Sequence, residues 1–291
     1  MRDNTTPPSP PIVPAATVLI CRDGERGPEV LMIQRNIQSS VHGGSYVFPG
    51  GKVDAQDGAS EADAVLDQPR AQLQALLHGE SPDAAVAFHV AAAREVFEEC
   101  GLLLAEGLSS DTLERAAALA AEGLGFGTLL AQLGVRLATR AMPPWSRWVT
   151  PVQAITGPGK RFDTIFFLAR APEGQLARHD QHEAVHSVWL RPREAVERYW
   201  NGEIPLAPPQ IMSMMHLARH ANVDSMLAEA RARAPYVVHP FLFEIDNTRA
   251  IAYPGDERHP ERKRAMPGPT RLVMRGKRLE PPDGFEAFWR D

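Results

Sequence analysis

Cysteine is scarce in this chain, with two in 291 residues, at positions 21 and 100. Two thiols cannot build a disulfide framework, and neither has the spacing of a zinc ligand pair. Cys21 lies in an apolar strand-like run and Cys100 on the apolar side of a helix, so both read as small core residues. The ten histidines are scattered, again without zinc spacing. Positive charge is not in excess either: 31 Lys plus Arg against 36 Asp plus Glu leaves a net charge of −5. That balance argues against broad nucleic-acid or anionic-membrane binding. No transmembrane span or signal-peptide core is visible. A Gly-x-Ser-x-Gly elbow and a P-loop lysine are missing, which leaves covalent-serine and NTPase-motor routes without support. The rest is ordinary globular composition, 44% hydrophobic and 23% charged.

Against that background one stretch stands out, Arg94-Glu95-Val96-Phe97-Glu98-Glu99-Cys100-Gly101-Leu102. Residues three and four apart are neighbours on a helix. Glu95, Glu98 and Glu99 are therefore expected along one edge, with Val86, Val90, Ala93, Phe97 and Cys100 on the opposite one. Gly101 reads as the helix stop, and Ser81-Pro82-Asp83 as N-cap, first-position proline and early acid. The acids thus fall in the last turn, where the helix dipole disfavours negative charge. Carboxylates kept there against local stability suggest function. As hard oxygen donors they suit Mg²⁺ or Mn²⁺.

A second segment, Phe48-Pro49-Gly50-Gly51-Lys52-Val53-Asp54, lies upstream with Asp57 just beyond. Together the two resemble the Nudix box. Gly51 stands at the leading glycine and Asp57 where the family usually has glutamate. Arg94, Glu95, Val96, Glu98, Glu99, Gly101 and Leu102 match the helical half in order. The departure is spacing, because 36 residues separate Asp57 from Arg94 where the usual box has seven. An insertion near 58–86 accounts for it, leaving from the loop and returning at the helix start. Such a split box resembles a Nudix subgroup that includes peroxisomal coenzyme A diphosphatases. Trp145-x-x-Trp148-Val149-Thr150-Pro151 and Arg161-Phe162-Asp163-Thr164 add to the likeness.

The resemblance implies a Mg²⁺- or Mn²⁺-dependent hydrolase of a diphosphate linkage. Coenzyme A or its short acyl derivatives are the first substrate choice. ADP-ribose, NADH and nucleotide sugars are alternatives, and a non-catalytic nucleotide-binding module is a remoter one. Glu95, Glu98 and Glu99, with the Gly50 carbonyl, are the expected metal ligands. Arg94 is expected to pair with one of the acids and orient it. Two residues compete for the role of base: Glu95, and Glu183 in the loop before the Val185–Leu190 strand. Arg161 and Arg35 are the substrate-binding candidates, although Arg161–Asp163 reads equally well as a structural motif.

The elements expected along the chain suit a Nudix α/β/α sandwich with a mixed sheet, helical insertions and a C-terminal extension. Residues 1–14 read as a flexible tail and 15–204 as the catalytic domain, with insertions near 58–86 and 105–144. Strands are expected at Ala15–Arg22, Glu29–Arg35, Ser45–Phe48, Trp148–Val152, Asp163–Arg170 and Val185–Leu190. Helices are expected at Asp111–Glu122, Phe126–Leu137 and Arg193–Asn201. Residues 205–291 read as an extension on the same domain: helices Gln210–His220 and Asp224–Ala234, then strands at 237–245 and 271–279. These added helices are candidates for a lid or a homodimer surface. The protein is expected in the cytoplasm.

Overall fold

The computed structural model describes residues 10–36, 44–152, 160–177 and 184–290. The first two strands, β1 (Ile12–Gly24) and β2 (Gly27–Arg35), form the expected hairpin. They pair only near their turn, from Cys21 opposite Val30 to Gly24 opposite Gly27. Beyond that they splay, and the chain between residues 46 and 52 fills the wedge. Within it, β3 (Tyr46–Val47) pairs with β2, and β4 (Gly50–Lys52) pairs with β1. The Val18 amide donates to the Pro49 carbonyl at 2.9 Å, closing the fit. Gly50 is required here, since a Cβ would run into the Ala16 carbonyl and the Thr17 backbone.

A short helix, α1 (Arg70–Leu76), lies within the insertion, and α2 (Pro82–Cys100) follows it. The caps of α2 are as expected: Ser81 accepts from the Ala84 amide, and Gly101 ends the helix in the left-handed region. Its faces are not. Ala85 through Arg94 are all buried, as is Glu99, so the simple split into acidic and apolar edges does not hold. The reason is tertiary, because α2 is covered by the sheet on one side and by the insertion on the other.

Next come β5 (Ala105–Glu106), α3 (Ser110–Ala121), α4 (Phe126–Leu133) and β6 (Arg136–Leu137). The helix expected to run through Leu137 stops at left-handed Gly134, and its last residues pair instead with β5. Strands β7 (Pro144–Val149), β8 (Arg161–Arg170) and β9 (Ala184–Leu190) extend the central sheet, and α5 (Pro192–Trp200) packs on it. Strand β8 runs parallel to β1, from Ile12 opposite Arg161 to Cys21 opposite Arg170. Ile12–Pro14, expected in the tail, therefore belong to the sheet.

Helices α6 (Pro208–Leu217) and α7 (Val223–Ala232) lead to β10 (Tyr236–Val238), which joins the same sheet beside β7. A separate antiparallel sheet follows from β11 (Phe241–Ile245), β12 (Thr248–Ala252), β13 (Arg271–Arg275) and β14 (Arg278–Glu280). Two single strands expected in this region are thus each a pair, and β12 was not expected. The β11–β12 turn is Asp246-Asn247, both at positive φ, as a tight hairpin requires.

Alternate residues of β1 face opposite sides of the sheet. Val18 and Ile20 enter a core with α2, α4 and the insertion. Leu19 and Cys21 enter a second core with α5, α6, α7 and the small sheet. The architecture is the α/β/α sandwich expected. Among the described residues no helix is long and apolar enough to cross a membrane.

Candidate active site

The glycine segment and the end of α2 meet where β4 passes beside the helix. Glu99 is buried, and its Oε2 accepts the Gly50 amide at 2.8 Å. Gly51 lies so close to Glu95 that a Cβ would overlap its carboxylate. The two consecutive glycines thus serve two different acids, one by an amide and the other by empty space. Glu98 points outward, with its side chain 55% exposed.

Arg94 organises the group. Its Nε and Nη2 donate to the two oxygens of Asp57 at 3.1 and 3.0 Å. Nη2 also donates to the Lys52 carbonyl at 2.9 Å. Nη1 reaches Glu95 at 2.8 Å and Glu98 at 3.2 Å. Burial disfavours this guanidinium charge, but the hydrogen bonds and charge of Asp57, with those of Glu95, outweigh it and raise its pKa further. Asp57 is itself buried and accepts the Asp54 amide at 2.8 Å. So the acid before the insertion holds the arginine, and the arginine holds two acids of the helix. Pairing of Arg94 with the helix acids was expected; its bidentate hold on Asp57 and its bond to Lys52 are set by the fold.

The carboxylates can hold a divalent cation by their chemistry: three anionic, hard oxygen donors stand on adjacent turns around two glycines. In this arrangement, however, Glu95 faces Arg94 and Glu99 faces the Gly50 amide.

The other candidates are placed differently. Arg161 is half-buried and its Nε donates to the Thr150 carbonyl at 2.8 Å. Asp163 receives two bonds from Arg147, at 2.8 and 2.6 Å, and Arg147 also reaches Glu80 at 2.8 Å. Arg147 and Arg161 therefore tie β7 to β8. Arg35 ends β2, its backbone paired with Ser45 and Gly44, with its Nε buried and without a hydrogen-bond partner among the described residues. Glu183 lies outside the described residues.

Sequence reading missed a second polar cluster. Among the described residues, His216, His220 and Glu229 bring ligand-type atoms within 4.8 Å of one another. Glu229 Oε1 already accepts from His216 at 3.1 Å and from Arg233 at 2.8 Å. Arg233 in turn donates to the Trp145 carbonyl at 3.0 Å. A guanidinium on the same oxygen marks this as an ion-pair network joining α6, α7 and β7. The His-x-x-x-His spacing, on what the sequence suggests is one helix although the fold ends it at Leu217, was its sequence signal.

The chain is similar to known proteins in both sequence and fold. A family model described as the NUDT19 Nudix domain matches residues 78–217, beginning beyond Asp57 within the insertion. "Acyl-coenzyme A diphosphatase NUDT19" of Gallus gallus is 30% identical over 85% of this chain and 79% of its own length. The Homo sapiens protein of the same name is 28% identical over 88% and 76%. A solved NUDIX hydrolase from Alicyclobacillus acidocaldarius superposes with a TM-score of 0.61 at 28% identity, covering 76% of this chain and 97% of that one. With a split box assembled around Arg94 and relatives of this identity and coverage, the chain belongs to the Nudix hydrolases, in the NUDT19 group.

Proposed function

We propose that the protein hydrolyses the diphosphate of coenzyme A or an acyl-coenzyme A, giving adenosine 3′,5′-bisphosphate and a phosphopantetheine product. The observation that carries this reading is the Asp57–Arg94–Glu95 assembly across the split box, in a chain 30% identical to an acyl-coenzyme A diphosphatase. Glu95, Glu98 and Glu99 would hold Mg²⁺ or Mn²⁺, which would supply charge neutralisation and make water a better nucleophile. The chain's own groups do the positioning, which is most of what phosphoryl transfer requires. Arg94 keeps Glu95 and Glu98 on one side of the helix end. The Gly50 amide fixes Glu99, and the Gly50 carbonyl is a further candidate donor.

Glu95 or Glu183 takes the proton from the attacking water. Arg35, whose backbone pairs with Gly44 and Ser45, is the first candidate cation for the substrate phosphates. Arg161 already has Nε engaged by Thr150 and stands at the start of β8.

The test is product analysis with coenzyme A, dephospho-coenzyme A, ADP-ribose and NADH, each with Mg²⁺, with Mn²⁺ and with chelator. The reading requires coenzyme A or an acyl derivative to give the highest kcat/KM and chelator to abolish turnover. Preference for ADP-ribose or NADH overturns the substrate and leaves the diphosphatase standing.

A further inference from the structure

The insertion leaves the glycine loop just after Asp57 and returns at the first turn of α2. One side chain joins the two points. Arg70, the first residue of α1, is largely buried. Its Nη1 donates to Asp83 at 2.8 Å and to the Gly58 carbonyl at 3.2 Å. Its Nη2 donates to the Ala59 carbonyl at 2.6 Å, and its Nε to the Asp63 carboxylate. Gly58 itself rests on the helix, because a Cβ there would lie 2.9 Å from the Asp83 carbonyl oxygen and 3.2 Å from the Ala87 methyl. The planar fork of arginine suits this work, since it serves two carbonyls and two carboxylates at once.

A second attachment holds the body of the insertion elsewhere. Buried Asp67 accepts from the Thr139 and Arg140 amides, both at 3.1 Å, and from the Thr139 hydroxyl. Gln68 adds a bond to the same hydroxyl at 2.7 Å. This anchor docks the insertion on the turn before β7.

We propose that Arg70 is a positioning residue for the diphosphatase centre. By fastening Gly58–Ala59 to Asp83, it sets the height of Asp57 against α2, and so the seat in which Arg94 orients Glu95 and Glu98. A long excursion between two halves of one site leaves them loosely related unless its ends are pinned. Arg70 supplies the pin that a box of ordinary length has no need of. The inference deepens the functional reading above and rests on it for the word diphosphatase; the geometry it explains is independent of substrate.

The experiment compares Arg70→Ala, Arg70→Lys and Asp67→Asn in the full chain, reading Mn²⁺ affinity by calorimetry, kcat, KM and Tm. Outer positioning groups of metal sites are worth about 10- to 100-fold in affinity or activity. Arg70→Ala is expected to weaken Mn²⁺ binding and lower kcat by about tenfold each, with KM nearly unchanged. Arg70→Lys should recover part of both, because an ammonium still reaches one arm. Asp67→Asn loosens the same insertion at its other anchor, and should lower Tm while leaving Mn²⁺ affinity alone. Wild-type Mn²⁺ affinity in Arg70→Ala overturns the proposal, and so does an equal loss in Asp67→Asn. Should Arg70→Ala fail to fold, the double variant Asp63→Asn with Asp83→Ala removes two arms and is read by the same criteria. A wild-type protein that binds Mn²⁺ but cleaves no diphosphate refutes the activity and leaves the Arg70 measurement intact. One that binds no Mn²⁺ refutes both.

Discussion

Asp57 and Arg94 stand 37 positions apart in sequence and meet through two parallel hydrogen bonds, 3.1 Å from Nε to Oδ1 and 3.0 Å from Nη2 to Oδ2. Both are buried. Removing one partner of such a pair leaves the other charge without solvent, which costs about 3 kcal/mol or more. Asp57→Ala is therefore expected to lower the unfolding free energy measured in urea by that amount and to lose activity in the fraction still folded. Arg94→Lys should also fail to rescue, because one ammonium cannot reproduce the five bonds of the planar guanidinium. A fully active, fully stable Asp57→Ala protein would show that Arg94 is held by something else.

Gly51 separates activity from stability. A Cβ at this position overlaps the Glu95 carboxylate, the movable end of a side chain, whereas at Gly50 it meets backbone. Gly51→Ala should thus push Glu95 away from Arg94 at little cost to the fold, and turnover should fall about tenfold or more. Gly50→Ala should instead lower Tm sharply. Equal thermal effects at the two positions, measured side by side, contradict this distinction.

Glu98 and Glu99 differ in their burial but are not expected to differ in their effect on turnover. Glu98 is mostly exposed, so Glu98→Gln should leave Tm unchanged while reducing turnover by about 100-fold. Glu99→Gln keeps an oxygen for the Gly50 amide and should fold, again with little activity. Metal should raise the Tm of the wild type, by mass action worth about 2.7 kcal/mol at a hundred times the dissociation constant. In either variant the metal-induced shift should shrink, and a full shift in both removes these acids from the metal site.

His89 gives the fold an acid weakness. It is fully buried on α2 against Phe167, and burial lowers its pKa from 6.5 to about 4. Below pH 6.5 the unfolded chain takes up a proton that the folded one refuses, so stability falls as pH drops towards 4. The loss is about 3 kcal/mol across that window. Buried His216, also shifted down by burial, acts in the same direction. His89→Leu should therefore shallow the decline in urea midpoint between pH 7 and 4.5 without abolishing it. An unchanged slope would place the acid sensitivity elsewhere.

The sequence by itself determined the local chemistry. The Arg94–Leu102 run, its caps at Ser81 and Gly101, and the Gly50-Gly51 turn are all short-range features, fixed by helix spacing and by the freedom of glycine. They were enough to identify the family and the sandwich. Local pattern failed where partners are remote. Helix α2 is buried on nearly every side because the insertion covers what would otherwise be its wet face, and no periodicity within the helix encodes that cover. Ile12–Pro14 looked like tail until β8 came to lie beside them. Arg70 was invisible because two of its four partners are backbone carbonyls, which any residue could have supplied. Only the tertiary structure decided which carboxylate each cation meets, since a buried charge takes its partner from whatever the fold brings within three ångströms, at any distance along the chain.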